Sequence, residues 1–178
     1  MEEPTKTPAQ NAGQVVAPGP YPPIRVAERN REYARMLGID FASSKSEMTS
    51  VTQYMYHDWT LHRRYPEISS EMRRIAEVEM HHLDMLGQLI ILLGGDPQYR
   101  AVRHNRCMYW NGDMVCERNN PPIMIQEDIR LEQSAIETYS RQARMIRDPY
   151  VVAVIERIIE DEKLHLKLFH QMLQKLDE

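Results

Sequence analysis

Arg74-Ile75-Ala76-Glu77-Val78-Glu79-Met80-His81-His82-Leu83 returns eighty-three residues later as Arg157-Ile158-Ile159-Glu160-Asp161-Glu162-Lys163-Leu164-His165-Leu166. The two segments agree at Arg, Ile, Glu, Glu, His and Leu. Each contains Glu-x-x-His, Glu79 with His82 and Glu162 with His165. On a helix, residues three apart share a face one turn apart, so a carboxylate and an imidazole can close on one metal ion or bridge to a second. A single Glu-x-x-His says little, because both residues are common on solvated helices. Two of them at equivalent places of a duplicated segment say more.

The duplication extends to the flanking helices. Glu47 lies thirty-two residues before Glu79, and Glu132 lies thirty before Glu162. Each is followed seven residues later by a tyrosine, Tyr54 and Tyr139 respectively. Seven residues is nearly two helical turns, so each tyrosine shares the face of its glutamate. Four inward carboxylates repel one another and lose hydration unless cations neutralise them; two divalent ions balance their charge. Four carboxylates with two imidazoles suit iron or manganese better than a lone zinc. The competing reading is a set of solvated helix charges with an accidental echo.

Helical periodicity places four long helices. They run from Ser43 or Ser44 as cap to about Arg64, from about Ser69 to Leu93, from about Ile123 to Ile146, and from about Tyr150 to Leu176. Pro66, Gly94-Gly95-Asp96-Pro97 and Asp148-Pro149 separate them. A shorter helix is expected over Ile24–Leu37, ended by Gly38. Residues 98–122 carry no helical period, and no strand is expected among them. Their length allows a crossover along the whole bundle, returning the chain parallel. The fold class is therefore all-α, a four-helix bundle with a long crossover between its second and third helices. The domain division is an arm plus short helix over 1–42 and the bundle over 43–178. Residues 1–23 hold Pro4, Pro8, Pro18, Pro20, Pro22 and Pro23, and read as a flexible arm that wraps a neighbouring surface.

Composition narrows the function. A net charge of -4 and a pI near 6.0 argue against nucleic acid or an anionic membrane as partner. Arg100, Arg103, His104, Arg106 and Arg118, interleaved with Tyr99, Tyr109 and Trp110, form too small a basic footprint to reverse that. The apolar run Leu89–Leu93 is too short to span a bilayer. The start Met1-Glu2-Glu3-Pro4 leads into no hydrophobic region, so no signal peptide is expected. Cys107 and Cys116 make neither a disulfide framework nor a Cys-x-x-Cys pair. A cytoplasmic setting is the resulting expectation.

From Glu47 to Leu173 the chain resembles the ferritin-like superfamily, in particular its rubrerythrin-like and manganese-catalase-like (spore-coat-type) bacterial branch. The resemblance rests on Ser46-Glu47-Met48-Thr49 leading to Gln53-Tyr54-Met55-Tyr56-His57, and on Glu79-Met80-His81-His82 leading to Leu92-Leu93-Gly94-Gly95-Asp96-Pro97. It implies that Glu79 and Glu162 bridge two metal ions, Glu47 with His82 holding one and Glu132 with His165 the other. It also implies that Asp161 reaches the opposite histidine, His82, and that Tyr54 and Tyr139 bond ligand carboxylates or quench radicals. Met80, directly after Glu79, stands where bacterioferritins place a haem-ligating methionine; an ordinary packing methionine is the alternative. His57, His62, His81 and His170 are expected at the surface or behind the ligands.

The activity that the resemblance implies is that of a dinuclear oxidoreductase acting on hydrogen peroxide or dioxygen, with two ions per chain, iron first and manganese second. With iron it implies peroxidase or ferroxidase chemistry; with manganese, a catalase that disproportionates peroxide. A metal-binding coat or assembly protein without turnover is the remaining alternative. The chain departs from the pattern in three ways. It has no rubredoxin module, so a peroxidase would need a separate electron-donor protein. Ala135 stands where rubrerythrins have an extra carboxylate, which argues against their ligand switch. Thirteen residues follow His165, too few for a cage-forming fifth helix, so a homodimer is expected.

Overall fold

The computed structural model describes residues 13–103 and 106–177. Five helices form: α1 (Arg31–Phe41), α2 (Glu47–Leu61), α3 (Pro66–Leu92), α4 (Pro121–Met145) and α5 (Pro149–Asp177). The short connections α2–α3 and α4–α5 make two hairpins, which meet along α2/α4 and α3/α5. This is the expected four-helix bundle, with α1 added against α3. None of the described helices is long and apolar enough to cross a membrane.

The local chemistry fixes each boundary. The α2 cap is Ser46, not Ser43 or Ser44. Its hydroxyl accepts from the Thr49 N–H, while the Ser43 carbonyl accepts from the Ser46 and Thr49 hydroxyls at 2.8 and 2.6 Å. Pro66 occupies the first turn of α3, where its missing N–H costs nothing, so that helix starts before Ser69. Gly94, at φ 84°, takes the left-handed turn that ends α3, and its N–H and that of Gly95 bond the Ile91 and Ile90 carbonyls. Asn120 caps α4, with Pro121 and Pro122 in its first turn. Asp148 accepts from the Tyr150 and Val151 N–H groups at the start of α5.

Two expectations are corrected here. The helix expected over Ile24–Leu37 begins only at Arg31, where Asn30 accepts from the Glu32 and Tyr33 N–H groups, and it runs through Gly38 to Phe41. Gly38 keeps a negative φ and so terminates nothing. The crossover does contain strands. β1 (Arg100–Arg103) pairs antiparallel with β2 (Arg106–Tyr109), Val102 opposite Cys107. Four-residue strands lack the length for a readable alternation. His104 lies outside the described residues. Past the hairpin, the Trp110 indole N–H donates to the Thr49 hydroxyl at 2.9 Å, and Tyr99 stacks on Phe41. These aromatics anchor the crossover to the bundle.

Two apolar clusters fill the bundle and leave a layer between them. One gathers Leu37, Phe41, Leu86, Leu89, Val154, Ile155 and Ile158. The other gathers Tyr54, Met72, Ile75, Ile125, Phe169 and Met172. Along α3 the order is Ile75, Glu79, His82, Leu86; along α5 it is Ile158, Glu162, His165, Phe169. Each Glu-x-x-His thus occupies one turn between apolar turns, closed off from water on both sides.

Candidate metal centre

Glu47 on α2, Glu79 and His82 on α3, Glu132 on α4, and Glu162 and His165 on α5 are all buried and converge in that layer. They form two overlapping groups, Glu47-Glu79-His82-Glu162 and Glu79-Glu132-Glu162-His165. Within each group one donor atom per residue lies within 4.8 Å of the others. Glu79 and Glu162 belong to both. Glu79 turns Oε2 to His82 Nδ1 at 3.1 Å and Oε1 to His165 Nδ1 at 2.7 Å. Glu162 does the converse, with Oε1 at 3.2 Å from His82 Nδ1 and Oε2 at 3.4 Å from His165 Nδ1. Glu47 Oε2 lies 4.0 Å from His82 Nδ1, and Glu132 Oε1 3.9 Å from His165 Nδ1. Each outer carboxylate thus belongs to one imidazole, and each inner carboxylate spans both.

The orientation of both rings is set by what stands behind them. His165 Nε2 lies 2.9 Å from the Val15 carbonyl, which can only accept, so Nε2 carries the proton and Nδ1 presents its lone pair to the carboxylates. His82 Nε2 lies 3.1 Å from Asp161 Oδ2. Asp161 is held down at about 2: burial opposes this, but hydrogen bonds from His82, Tyr21, Arg157 and the Ala17 N–H outweigh it. As a carboxylate it also accepts, so His82 has the same tautomer.

Lone pairs facing lone pairs in a dry layer are relieved by a cation or by protons. His165 Nδ1, Glu79 Oε1 and Glu162 Oε1 are buried without a hydrogen-bond partner, although the first two lie only 2.7 Å apart. The two miss hydrogen-bonding geometry despite that distance, and Glu79, Glu162 and His165 belong to one donor group. That is the fit expected of donors shaped for an ion. Without one, protons supply the charge. Burial, reinforced by Glu162 and Glu79, pushes Glu47 well above the usual carboxylate range; burial and Glu162 do the same to Glu132. Burial would lower both imidazoles, but Glu79 and its neighbours more than offset it, raising His82 well up and His165 to about 9. Against burial, the imidazoles hold Glu79 down, while hydrogen bonds from Glu132 and both histidines do so for Glu162.

The tyrosines cross over. Tyr54 on α2 donates to Glu132 Oε1 at 2.6 Å, and Tyr139 on α4 donates to Glu47 Oε1. Each hydroxyl fixes the outer carboxylate of the opposite helix. Burial and those carboxylates raise both phenols well above their ordinary value, so they stay donors. Met80, by contrast, is half-exposed on the outer side of α3.

Two features were missed in the sequence. His57, expected at the surface or behind the ligands, is fully buried: Nδ1 lies 2.8 Å from Asp128 Oδ2 and Nε2 3.0 Å from the Cys116 carbonyl. Gln53 donates to Asp128 Oδ1 and accepts from the Cys116 N–H. The spacing offered a signal, since Asp128 is four residues before Glu132 and Gln53 and His57 share one face of α2. The other is residues 13–21 of the expected arm, whose polar groups lie against α3 and α5 of the same chain. The part of that arm before Gly13, with Pro4 and Pro8, lies outside the described residues.

A narrow crevice between α2 and α4, of about 10 Å³, reaches Glu47 and Tyr139 past Lys45, Ser50, Leu131 and Ala135. That is room for about one water. A cavity of about 670 Å³ lies elsewhere, between Arg31, Arg35, Gly95 and Arg100, and none of the six clustered residues lines it.

A ferritin-like domain model matches residues 43–178. Bacterioferritin from Desulfovibrio desulfuricans is 27% identical over 149 residues, covering 80% of this chain and 78% of that protein. Bacterioferritin from Streptomyces coelicolor is 27% identical over 145 residues, covering 78% and 81%. Among solved structures, a manganese catalase from Anabaena superposes with a TM-score of 0.80 at 20% identity, over 90% of this chain and 79% of that one. At that identity the likeness is one of fold. The D. desulfuricans bacterioferritin, whose structure describes a diiron site, superposes with a TM-score of 0.69 at 25% identity, over 82% and 80%.

Proposed function

Given that the chain belongs to the ferritin-like domain family, we propose that it is a dinuclear-metal oxidoreductase that acts on hydrogen peroxide or dioxygen. Glu79 and Glu162 would bridge two ions, Glu47 and His82 completing one position and Glu132 and His165 the other. The observation that carries this reading is the pair of inner carboxylates, each turning one oxygen to each imidazole, with three buried donor atoms left without hydrogen-bond partners. Iron is the first choice and manganese the second, because both accept this mixed oxygen and nitrogen set. The likeness to bacterioferritins supports iron; the fold likeness to a manganese catalase keeps manganese in play.

When bound, the ions supply the redox chemistry, and the protein supplies orientation and a closed pocket. Asp161 and the Val15 carbonyl fix the imidazole tautomers. Tyr54 and Tyr139 donate to Glu132 and Glu47, steadying the outer carboxylates; Glu47 thereby keeps its second oxygen, Oε2, toward His82. Burial and the neighbouring carboxylates favour the protonated form of Glu47 and Glu132 in the metal-free state, so these two would exchange protons for the ions on loading. The crevice at Glu47 admits a molecule of about the size of water or peroxide and excludes larger organic substrates.

Metal analysis of protein produced with iron and manganese both supplied tests this, beside a Glu79→Ala, Glu162→Ala variant. About two ions per chain, lost in the variant, supports the centre. Their identity then directs assays of peroxide reduction, ferrous oxidation or dioxygen release. Metal absent from the wild type even after anaerobic reconstitution would overturn the reading and leave the bundle as a coat or assembly scaffold. Deleting residues 1–23 does not separate these alternatives, because that segment touches His165 and Asp161.

A further inference from the structure

The two halves of the bundle repeat each other except behind the histidines. Asp161, immediately before Glu162, backs His82. The equivalent residue before Glu79 is Val78, whose side chain can accept no hydrogen bond. The bundle helices therefore give His165 no counterpart of Asp161, and its Nε2 acceptor is the Val15 carbonyl, 150 residues away in the chain.

Residues 13–21 are fastened at several points. Arg74 donates to the Gly13 carbonyl, and Arg157 Nη2 donates to the Ala17 carbonyl at 2.9 Å. These arginines are equivalent members of the duplicated segments, so both copies grip the same strand of chain. The Ala17 N–H and the Tyr21 hydroxyl donate to Asp161 at 2.7 and 2.6 Å, and the Arg157 guanidinium lies 4.2 Å from the centre of the Tyr21 ring. Val15 is buried in the same apolar cluster as Ile75 and Phe169.

We propose that residues 13–21 are a positioning strap, and that through the Val15 carbonyl the strap makes the two ion positions unequal. The proposal rests on the dinuclear reading above. The Glu47/His82 position is complete within the bundle, since Asp161 keeps Arg157 and His82 even without the strap. The Glu132/His165 position is complete only while the strap is seated. An imidazole without an acceptor behind Nε2 can change tautomer or rotate and turn an N–H to the centre, and loss of such a partner typically weakens metal binding about 10- to 100-fold.

The test uses the full-length chain with Val15→Gly and Val16→Gly together, which removes the strap's two anchors in the cluster of Ile75 and Phe169, loosens the chain around the Val15 carbonyl and leaves every bundle residue intact. Manganous ion is titrated calorimetrically into metal-free wild type, this variant and the reference variants His82→Gln and His165→Gln. Long-range proton–nitrogen spectra of the metal-free proteins, recorded above pH 9 where the His165 ring is neutral, report which nitrogen of each imidazole carries the proton, with helicity followed by circular dichroism. The expected result is one ion bound as in wild type and a second weakened about 10- to 100-fold, matching His165→Gln. The His165 Nε2–H signal should be lost while that of His82 stays. Two ions bound as in wild type, equal weakening of both, or a surviving His165 signal would overturn the strap while leaving the dinuclear reading standing. No ion in the wild type would overturn both. Should the double variant lose helicity, Arg74→Gln, which frees only the Gly13 end, must weaken the second ion alone; no effect there would overturn the strap.

Discussion

For single residues, what matters is which atom holds a proton. In the metal-free protein the carboxylates raise His165 from 6.5 to about 9, so its imidazolium contributes stability that is fully present below pH 6.5 and lost as the pH rises through about 9. An ion needs the neutral ring, so metal uptake should strengthen over the same window and release protons. Melting temperatures of metal-free protein should therefore fall between pH 6.5 and 9, while the gap to metal-loaded protein widens. A metal-free melting temperature that stays level would refute the stabilised imidazolium. The tyrosines make a second case. Tyr139→Phe removes the donor to Glu47, and Tyr54→Phe the donor to Glu132. A hydrogen bond to a charged group contributes about 1.5 kcal/mol, so each change should weaken the ion beside its carboxylate roughly tenfold in a direct titration, with the fold intact.

Among the elements, the buried His57–Asp128 pair ties α2 to α4, and with Gln53 it ties both to the crossover at Cys116. His57→Ala leaves Asp128 buried without its partner and should cost about 3–5 kcal/mol in denaturant unfolding; a change below about 1 kcal/mol would show the pair to be dispensable. The α2/α4 crevice gives a separate expectation. Ala135→Leu fills the wall leading to Glu47, and should lower kcat/KM for peroxide about tenfold, equivalent to about 1.4 kcal/mol, with metal content unchanged. Unaltered turnover would place the entrance elsewhere. The elements also differ in how readable they were. α3 and α5 declared themselves through apolar period, proline and glycine stops and the repeated Glu-x-x-His, so the six clustered residues could be named from spacing. The β1–β2 hairpin could not, because four residues a strand are too few for a pattern. The Val15 contact was illegible for a different reason: a backbone carbonyl makes it, and no side chain encodes that.

Across the molecule as a whole, two apolar clusters clamp one polar layer, and that layer accounts for the repeated carboxylates that would otherwise oppose folding. Replacing the layer's outer carboxyls and their tyrosine donors by apolar groups should not destabilise the metal-free bundle. Glu47→Leu and Glu132→Leu, made together with Tyr139→Phe and Tyr54→Phe so that no buried hydroxyl loses its acceptor, should leave its unfolding free energy unchanged or raise it by about 1 kcal/mol, while abolishing ion uptake. A lower stability would mean that the protonated carboxyls are worth more than packing. The strap adds a constraint in time. Its partners on α5 lie 140, 144 and 150 residues away from it in the chain. During synthesis residues 13–21 emerge before α5 and must wait for it before they can make these contacts, and contacts of such separation form late. A chain interrupted before α5 can build the α2–α3 hairpin but can never orient His82 or present His165. Completion of the centre thus reports that synthesis has passed α5, and a product that stops short of it carries no finished site with which to take up a reactive metal.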